Sequence, residues 1–385
     1  MEEVLHIREG RLEKHNAEEG EGLRIVTILG TRPEIIRLSV LIGKLDRLAE
    51  RHVLVHTGQN FSPSLSAVFF AEMGLRSPDL LLDDRKETVG GQLSVMFAAV
   101  EQLLQKERPD RVLVLGDTNS ALCAMVAERM GIPVVHMEAG NRCFDLRVPE
   151  EKNRRIIDSV STYNLPYTEN SKQNLLREGF PVQRIFRSGN PIYEVLRHYE
   201  DQIEGSTVLE RLSVVKGQYL LATIHRAENV DDPDTIAGIM RGLSWTAEEH
   251  QLPLICSLHP RTKSRLTDEV RASIHPLVSF HEPFGFFDFV RLEKYACLAL
   301  TDSGTVQEEC CIFGVPTVTI RQTTERPETV DCGSNVVAGL HPEAIRNAAR
   351  VMLALKDAWK CPEGYLDENV SDKVAKFVLG GKRDV

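Results

Sequence analysis

The sequence predicts an α/β protein built from two Rossmann-like, doubly wound units. Strand-like apolar runs alternate with helix-like runs along the chain, which is typical of α/β folds. The strand-like runs are continuously apolar, as in central parallel strands that helices cover on both faces. A chain of 385 residues is also too long for one ordinary hydrophobic core. We therefore expect two domains with a ligand cleft between them.

The first half of the chain begins with an extension and continues as alternating elements. Residues 1–22 are rich in acids and lack the apolar segment of a signal peptide, so we predict a peripheral extension there. Strands are predicted at 23–29, 52–57, 111–117 and 133–139, with shorter ones near 163–167 and 184–188. Helices are predicted at 33–49, where an early proline is tolerated, and at 92–106.

The second half repeats the same alternation. Strands are predicted at 219–224, 253–258, 278–282, 297–301 and 316–320. Helices are predicted at 233–249, 261–274 and 343–354. The join between the two halves is expected within residues 191–217.

The overall composition is typical of a globular protein and excludes several classes. A net charge of −10 argues against nucleic acid as a partner, because nucleic acid favours a basic face. No apolar stretch has the roughly 20 residues needed to span a bilayer. The eight cysteines form no C-x-x-C pair and lack the Cys/His spacing of a zinc site. These features predict reduced thiols, a cytoplasmic location, no metal and no membrane contact.

Acidic residues stand at the ends of predicted elements between residues 112 and 158. Asp117 and Glu138 follow two strand-like runs, and Glu150 begins a helix. Parallel strands deliver their carboxyl ends into one crevice, so we expect these acids to surround one ligand. Crowding and desolvation shift pKa values, which favours a role in proton transfer. A helix cap is the alternative role for Asp117, and a favourable helix dipole is the alternative for Glu150.

Other polar strand ends predict anion binding and a titrating imidazole. Gly30-Thr31-Arg32 and Ser303-Gly304-Thr305 each follow a strand and open a helix, whose amino end attracts phosphate. The first segment is neither a G-x-G-x-x-G fingerprint nor a Walker A loop, and no nicotinamide cofactor is expected. His225 ends another strand, where it can titrate near neutral pH; a backbone-bonded structural histidine is the alternative.

The chain resembles the non-hydrolysing UDP-N-acetylglucosamine 2-epimerases over residues 24–360. The resemblance rests on motifs that occur in the family's order. They are GTRPEIIR (30–37), HTGQN (56–60), GDTNS (116–120), HMEAGNR (136–142), PEEKNRR (149–155), HRAEN (225–229), HPRT (259–262), TDSGTVQEE (301–309) and RQTTERPE (321–328).

This resemblance implies a domain arrangement. It implies the GT-B architecture, with an extension at 1–22, an amino-terminal Rossmann-like domain at 23–195 and a UDP-binding domain at 196–385. It also implies that the last helix crosses back onto the first domain.

The resemblance further implies roles for individual side chains. The implied catalytic residues are Asp117, Glu138, Glu150 and His225. The implied substrate-binding and UDP-binding residues are Arg32, Arg37, Arg142, Arg154, Arg226, Asn229, His259, Ser303, Gly304, Thr305, Glu309 and Arg326.

Some of these roles are more specific. Arg32 is an expected phosphate contact, Glu309 an expected partner of the ribose hydroxyls, and Arg142 and Arg154 are counter-charges for the acids. The family usually has Lys in place of Arg37 and a second Gly in place of Thr305.

The reaction that the resemblance implies needs no cofactor. A proton leaves C2 while UDP leaves C1, and UDP then returns to the resulting 2-acetamidoglycal. The segment NRCFDLRVPEE (141–151) resembles a subgroup that acts on UDP-2-acetamido-2,6-dideoxy-L-talose. UDP-GlcNAc, converted to UDP-ManNAc, is the first expectation for the substrate, and the 6-deoxysugar is the second.

Three other functions share features with this sequence. They are a GT-B glycosyltransferase, a hydrolysing epimerase that releases UDP, and a non-catalytic nucleotide-sugar sensor. The acids at Asp117, Glu138 and Glu150 weigh against the glycosyltransferase and the sensor. A UDP-sugar is the expected ligand, and a homodimer is the expected assembly.

Overall fold

A computed structural model describes residues 3–8, 11–16, 22–58, 69–82, 84, 86–258, 260–355 and 358–380, and it describes only the backbone of residues 3–8 and 11–16. Within the predicted extension, strands β1 (Glu3–Arg8) and β2 (Arg11–Asn16) pair in antiparallel fashion. No helix in the described ranges is long and apolar enough to cross a membrane.

The first half forms a parallel sheet of six strands in the order β5-β4-β3-β6-β7-β8. The first strand of the sheet, β3, is central. The next two strands extend the sheet on one side of β3 and the last three extend it on the other side, which is the order of a doubly wound Rossmann fold. The elements are β3 (Arg24–Leu29), α1 (Arg32–Leu48), β4 (Arg51–His56), β5 (Leu80–Leu81), α2 (Val89–Glu107), β6 (Arg111–Leu115), α3 (Ala124–Arg129), β7 (Val134–Met137), α4 (Pro149–Val160), β8 (Tyr163–Leu165), α5 (Glu169–Arg177), α6 (Ile192–His198), α7 (Glu200–Glu204) and α8 (Val208–Arg211).

The second half repeats this topology, with a parallel sheet in the order β11-β10-β9-β12-β13-β14. Both sheets therefore change winding direction beside their first strand, at β3/β6 and at β9/β12. The elements are β9 (Leu220–Ile224), α9 (Ala227–Val230), α10 (Pro233–His250), β10 (Leu254–Leu258), α11 (Pro260–Arg265), α12 (Asp268–Ala272), β11 (Val278–His281), α13 (Phe286–Tyr295), β12 (Leu298–Thr301), α14 (Gly304–Phe313), β13 (Thr317–Thr319), α15 (Pro327–Asp331), β14 (Asn335–Val337), α16 (Pro342–Ala354) and α17 (Val370–Gly380).

Two sequence predictions about secondary structure are wrong. Residues 184–188 form no strand, and Ile185 makes only an isolated bridge to Asn164. The predicted helix at 261–274 is two helices, α11 and α12, because the Thr267 side chain accepts a hydrogen bond from the amide of Val270 and starts a new helix there.

The last helix lies against the first half of the chain. Val370, Val374 and Val378 on α17 are fully buried and belong to the same apolar cluster as helix α1. The Lys44 ammonium of α1 donates to the Ser371 hydroxyl at 2.6 Å, which adds a polar contact to this packing. Helix α17 therefore packs against helix α1 of the amino-terminal unit.

Candidate active site

The carboxyl ends of β3 and β6 meet where the first sheet changes winding direction. Gly30 follows β3, and a Cβ atom there would lie 2.1 Å from the Ser120 hydroxyl and 2.2 Å from the Thr57 hydroxyl. Only glycine therefore fits between these side chains. Crevices at such positions are the usual ligand sites of doubly wound sheets.

Asp117 and Glu138 flank the guanidinium of Arg154 in this crevice. Arg154 lies on α4, forms an ion pair with Asp117 and approaches Glu138 to 3.6 Å. Asp117 does not cap the helical turn that follows it, since that turn begins at Ser120. Glu138 has a φ of 65°, a left-handed conformation that costs energy for a residue other than glycine. Sparsely populated backbone conformations of this kind cluster at functional sites.

Arginines of the second half reach these acids across the cleft. Arg326 donates to Glu138 at 3.0 Å and to Glu308 at 2.6 Å. Arg226 lies 3.6 Å from Glu150. Arg326 and Arg226 therefore bring positive charge from the second half of the chain to Glu138 and Glu150.

Arg37 extends the same network from helix α1. It forms an ion pair with Glu308 and lies 3.5 Å from Glu138. Its side chain is 1% exposed, so its charge is compensated almost wholly by these carboxylates. Arg37 and Arg326 thus tie Glu138 of the first half to Glu308 of the second.

The pKa values of the two strand-end acids move in opposite directions. Burial raises the pKa of Asp117, Arg154 opposes this shift, and Glu138 and Glu150 reinforce it. Burial would also raise the pKa of Glu138, but Arg326, Arg37 and Arg154 lower it below its usual range. Neighbouring acids with pKa values pushed apart are suited to hold one proton between them.

His225 lies at the equivalent switch point of the second sheet. Its Nδ1 atom is 3.0 Å from Asp302, and its side chain is 41% exposed toward the cleft. Asp302 also accepts from the backbone amides of His225 and Arg226, each at 2.9 Å, and from the Asn229 side chain at 3.1 Å. Asn229 therefore supports the loop through Asp302 and the carbonyl of Ile320.

The amino end of α14 is where the sequence predicts an anion site. Ser303 precedes the helix, and the hydroxyls of Ser303 and Thr305 lie 3.0 Å apart. The first amides of a helix have no intrahelical acceptor and attract phosphate. Gly304 leaves space for Arg326, whose guanidinium carbon is 3.6 Å from where a Cβ atom would lie. An anion at this helix end would therefore lie beside Arg326.

A second group of charges surrounds Arg32 and Glu309. Arg32 lies over the ring of Phe69, 4.4 Å from its centre. Burial raises the pKa of Glu309 to about 7, with Arg37 opposing the shift, and burial together with Glu309 raises the pKa of Glu293 well above its usual range. These two acids are thus expected to share a proton near neutral pH.

Arg142 is placed away from the predicted acids. Its guanidinium binds Asp158 at 2.7 Å and Glu178 at 2.6 Å. We expected Arg142 to be a counter-charge for Asp117, Glu138 and Glu150. That prediction is wrong, because Arg142 pairs with two other acids. The sequence prediction for His259 falls outside the described residues.

Two further acids contribute to the cleft without having been assigned a role from sequence. Glu308 pairs with Arg37 and Arg326, and Asp302 holds the His225 loop. Glu308 is adjacent to Glu309 but lies on another side of the helix. The sequence alone does not show which of these two neighbouring glutamates pairs with the arginines. The position of Asp302 directly after β12 is a signal that could have marked it.

Comparison with known proteins identifies the family. The family model for UDP-N-acetylglucosamine 2-epimerase matches residues 44–379. The chain belongs to the UDP-N-acetylglucosamine 2-epimerase family. A member from Methanocaldococcus jannaschii is 39% identical over 369 residues, which cover 94% of this chain and 100% of that protein. A UDP-2,3-diacetamido-2,3-dideoxy-D-glucuronate 2-epimerase from Pseudomonas aeruginosa is 36% identical over 360 residues, which cover 92% of this chain and 99% of that protein.

Solved structures of family members share the fold. The M. jannaschii UDP-GlcNAc 2-epimerase in complex with UDP-GlcNAc and UDP has a TM-score of 0.87 and 39% identity, and the match covers 92% of this chain and 99% of that one. The UDP-N-acetylglucosamine 2-epimerase from Rickettsia bellii has a TM-score of 0.86 and 38% identity, with 93% and 96% covered. The predicted family and the predicted GT-B fold of two Rossmann-like units are both confirmed.

Proposed function

We propose that this chain is an isomerase that reversibly inverts C2 of a UDP-N-acetylhexosamine, interconverting UDP-GlcNAc and UDP-ManNAc. One observation carries the proposal. Asp117 and Glu138, whose pKa values are pushed apart, face arginines and a helix amino end from the opposite side of the cleft. This arrangement combines proton transfer with binding of a diphosphate, and the M. jannaschii relative binds UDP-GlcNAc and UDP.

The reaction follows from the low acidity of the C2 proton. Direct removal and return of that proton would leave an unstabilised carbanion. In an anti elimination, the C2–H and C1–O bonds break together, a carboxylate accepts the proton, and UDP carries away the bonding electrons. UDP then adds back to C1 of the 2-acetamidoglycal, and an acid delivers a proton to the opposite face of C2.

The charged side chains divide these tasks between them. Burial raises the pKa of Asp117, which suits it to exchange a proton, whereas Arg326, Arg37 and Arg154 lower the pKa of Glu138. Glu150 and His225 lie at the two rims of the same cleft and serve the second proton transfer. General acid–base catalysis contributes roughly 10²–10⁴-fold, so positioning and stabilisation of the leaving UDP must supply the rest.

The leaving group is held by the second half of the chain. The helix end at Ser303, Gly304 and Thr305 accepts the diphosphate, and Arg326 lies against it. Arg32 approaches from helix α1 and supplies a further positive charge. Glu309 accepts hydrogen bonds from the ribose hydroxyls when it is ionised. Charge-assisted hydrogen bonds of this type are about twice as strong as neutral ones.

A more substituted UDP-sugar is the second candidate substrate. It is favoured by the P. aeruginosa relative, which is named for a diacetamido-dideoxy-glucuronate and matches nearly the whole chain. Both substrates have the same acetamido group at C2 and the same UDP at C1. The 6-deoxysugar stays a prediction from the segment at 141–151.

Proton NMR of UDP-GlcNAc with the protein in D2O tests the function. We expect deuterium at C2 together with signals of UDP-ManNAc. Free ManNAc and UDP would indicate hydrolysis instead, and transfer to an added acceptor without epimer would indicate a glycosyltransferase. If UDP-GlcNAc and the diacetamido-glucuronate both stay unchanged, the proposed function is wrong for these substrates.

Binding of UDP-GlcNAc should strengthen as pH rises through 7. The pKa of Glu309 is raised to about 7, so its carboxyl group is mostly protonated at pH 6 and mostly ionised at pH 8. Only the ionised form accepts from both ribose hydroxyls. We expect Kd to fall about tenfold between pH 6 and pH 8 in calorimetric titrations.

Glu309→Gln is the matched control for this pH effect. Glutamine has the same shape and no titrating group, so the Kd of the variant should be nearly constant over this range. If the variant keeps the pH dependence of the parent chain, another group is responsible.

We further propose a cytoplasmic homodimer. All eight cysteines lie among the described residues, and all are free thiols, which suits a reducing compartment. The dimer is expected from the resemblance alone. Light scattering at several protein concentrations tests it, and the mass of a single chain throughout would contradict it.

A further inference from the structure

His136 lies directly below the two strand ends that carry the proposed catalytic acids. It stands on β7 two residues before Glu138, and it is 0% exposed. Its Nε2 atom is 2.7 Å from the backbone carbonyl oxygen of Gly116, the residue before Asp117. A carbonyl oxygen can only accept, so Nε2 must carry a proton and donate it.

The other ring nitrogen faces a buried carboxylate. Nδ1 of His136 is 2.9 Å from Oδ1 of Asp158 on α4, and both side chains are 0% exposed. Asp158 is also bound by Arg142 at 2.7 Å and by the amide of Gly140 at 3.2 Å. Burial acts to raise the pKa of Asp158, but His136 and Arg142 outweigh it and lower the pKa.

The imidazole therefore lies between the Gly116 carbonyl and the Asp158 carboxyl group. Neither Nδ1 of His136 nor Oδ1 of Asp158 makes a well-directed hydrogen bond to a described group, although the two atoms lie 2.9 Å apart. Polar groups of this kind are costly to bury, and an apolar side chain would fill the space without that cost.

The backbone beside His136 and Asp158 turns through positive φ at both strand ends. Gly116 has a φ of 75°, which glycine adopts freely, and Glu138 has a φ of 65°, which is unfavourable for a residue with a side chain. The two ends are joined because the amide of Gly116 donates to the carbonyl of Met137 at 2.9 Å. Such conformations persist only where the surrounding structure holds them.

We propose that the paired His136 and Asp158 side chains are a positioning element of the epimerase site, in which the Nε2–H of the imidazole holds the Gly116 carbonyl and so sets the separation of the Asp117 and Glu138 carboxyl groups. The inference rests on the proposed function, because it assigns His136 to the same proton transfer. His136 does not touch substrate in this arrangement and acts through the two acids.

Two substitutions at His136 separate positioning from general structural support. His136→Gln places an amide N–H near the former Nε2 and can still donate to Gly116. His136→Asn places its amide near the former Nδ1, on the Asp158 side, and cannot reach Gly116. Both variants lose the imidazole ring, and both keep Arg142 beside Asp158.

The expected result is a difference in kcat between the two variants. His136→Asn should lower kcat about 10²-fold, which is the effect of misplacing a reacting group by about 1 Å. Its KM and its Kd for UDP should stay near those of the parent chain, since the UDP site lies in the second half. The kcat of His136→Gln should be at least about tenfold higher than that of His136→Asn, because the glutamine amide restores the hydrogen bond that orients the acids.

Three measurements decide between the alternatives. The rate of deuterium incorporation at C2 gives kcat, calorimetry gives the UDP Kd, and urea unfolding gives stability. If His136→Asn and His136→Gln lose equal activity, or if kcat falls only in proportion to folded protein, the positioning role is wrong. If the parent chain itself incorporates no deuterium into any UDP-sugar tested, the proposed function fails first and the inference fails with it.

Discussion

Asp117→Asn should lower the rate of epimerisation by about 10²–10⁴-fold, the usual contribution of one acid–base group. Asparagine has the shape of a protonated aspartate but cannot exchange that proton with C2. Arg154 loses its ion-pair partner in the variant and still has Glu138 at 3.6 Å, so its charge stays compensated. Deuterium incorporation at C2, followed by NMR, measures the effect.

Binding measurements show whether the lower rate of epimerisation arises in the chemical step or from weaker binding. The UDP Kd of the variant should stay within about twofold of the parent value, because the proposed diphosphate site at Ser303 and Gly304 is on another domain. Asp268→Asn is a suitable control, since Asp268 is an exposed aspartate on α12. A variant at Asp117 that retains full kcat would remove Asp117 from the mechanism.

Arg326→Met should destabilise the protein and weaken UDP binding together. Arg326 is the donor to both Glu138 and Glu308, and methionine leaves these buried carboxylates with fewer cations. Removing one partner of a buried ion pair costs about 3–5 kcal/mol, and Arg37 limits the loss here to about 3 kcal/mol because it also faces both acids. Urea unfolding gives the stability, and calorimetry with UDP gives the affinity.

Two further variants make this prediction specific. Arg346→Met removes a partly exposed arginine that lies 3.6 Å from Glu249 and over the Trp245 ring, and its cost should be about 1 kcal/mol or less. Arg326→Lys keeps the charge but not the planar fork that reaches two carboxylates, so it should lie between the parent and Arg326→Met. Equal stability of Arg326→Met and the parent chain would show that the network contributes nothing to folding.

Secondary structure was predictable from the sequence wherever a buried strand is a continuous run of apolar residues. The continuously apolar runs became the central parallel strands, with ends displaced by one or two residues. The edge strands β5 and β14 are two and three residues long and were not predicted, because such short segments carry no periodic pattern. The segment predicted as one helix, 261–274, forms two helices because Thr267 caps the second one. The helical spacing of apolar residues over the whole segment does not reveal this break.

The candidate site was predictable in part for a topological reason. Parallel strands of one sheet end at one edge, so Asp117 and Glu138 had to lie near each other once their strands were recognised. Glu150 joins them because α4 packs beside that edge. The partners of Arg142 were predicted wrongly, since nothing local distinguishes Asp158 and Glu178 from the other acids near it.

By itself, the sequence determined the alternation of strands and helices, the family through its ordered motifs, and the acids at the strand ends. Only the tertiary structure decided which arginine meets which acid, that the buried His136 side chain lies between Asp158 and the Gly116 carbonyl, and that Glu308 joins the two halves. The physical reason is the separation along the sequence between the residues that interact. Strand and helix signals arise from neighbours a few residues apart, whereas the charge pairs of the cleft join residues up to 271 positions apart and depend on how two separately wound sheets dock.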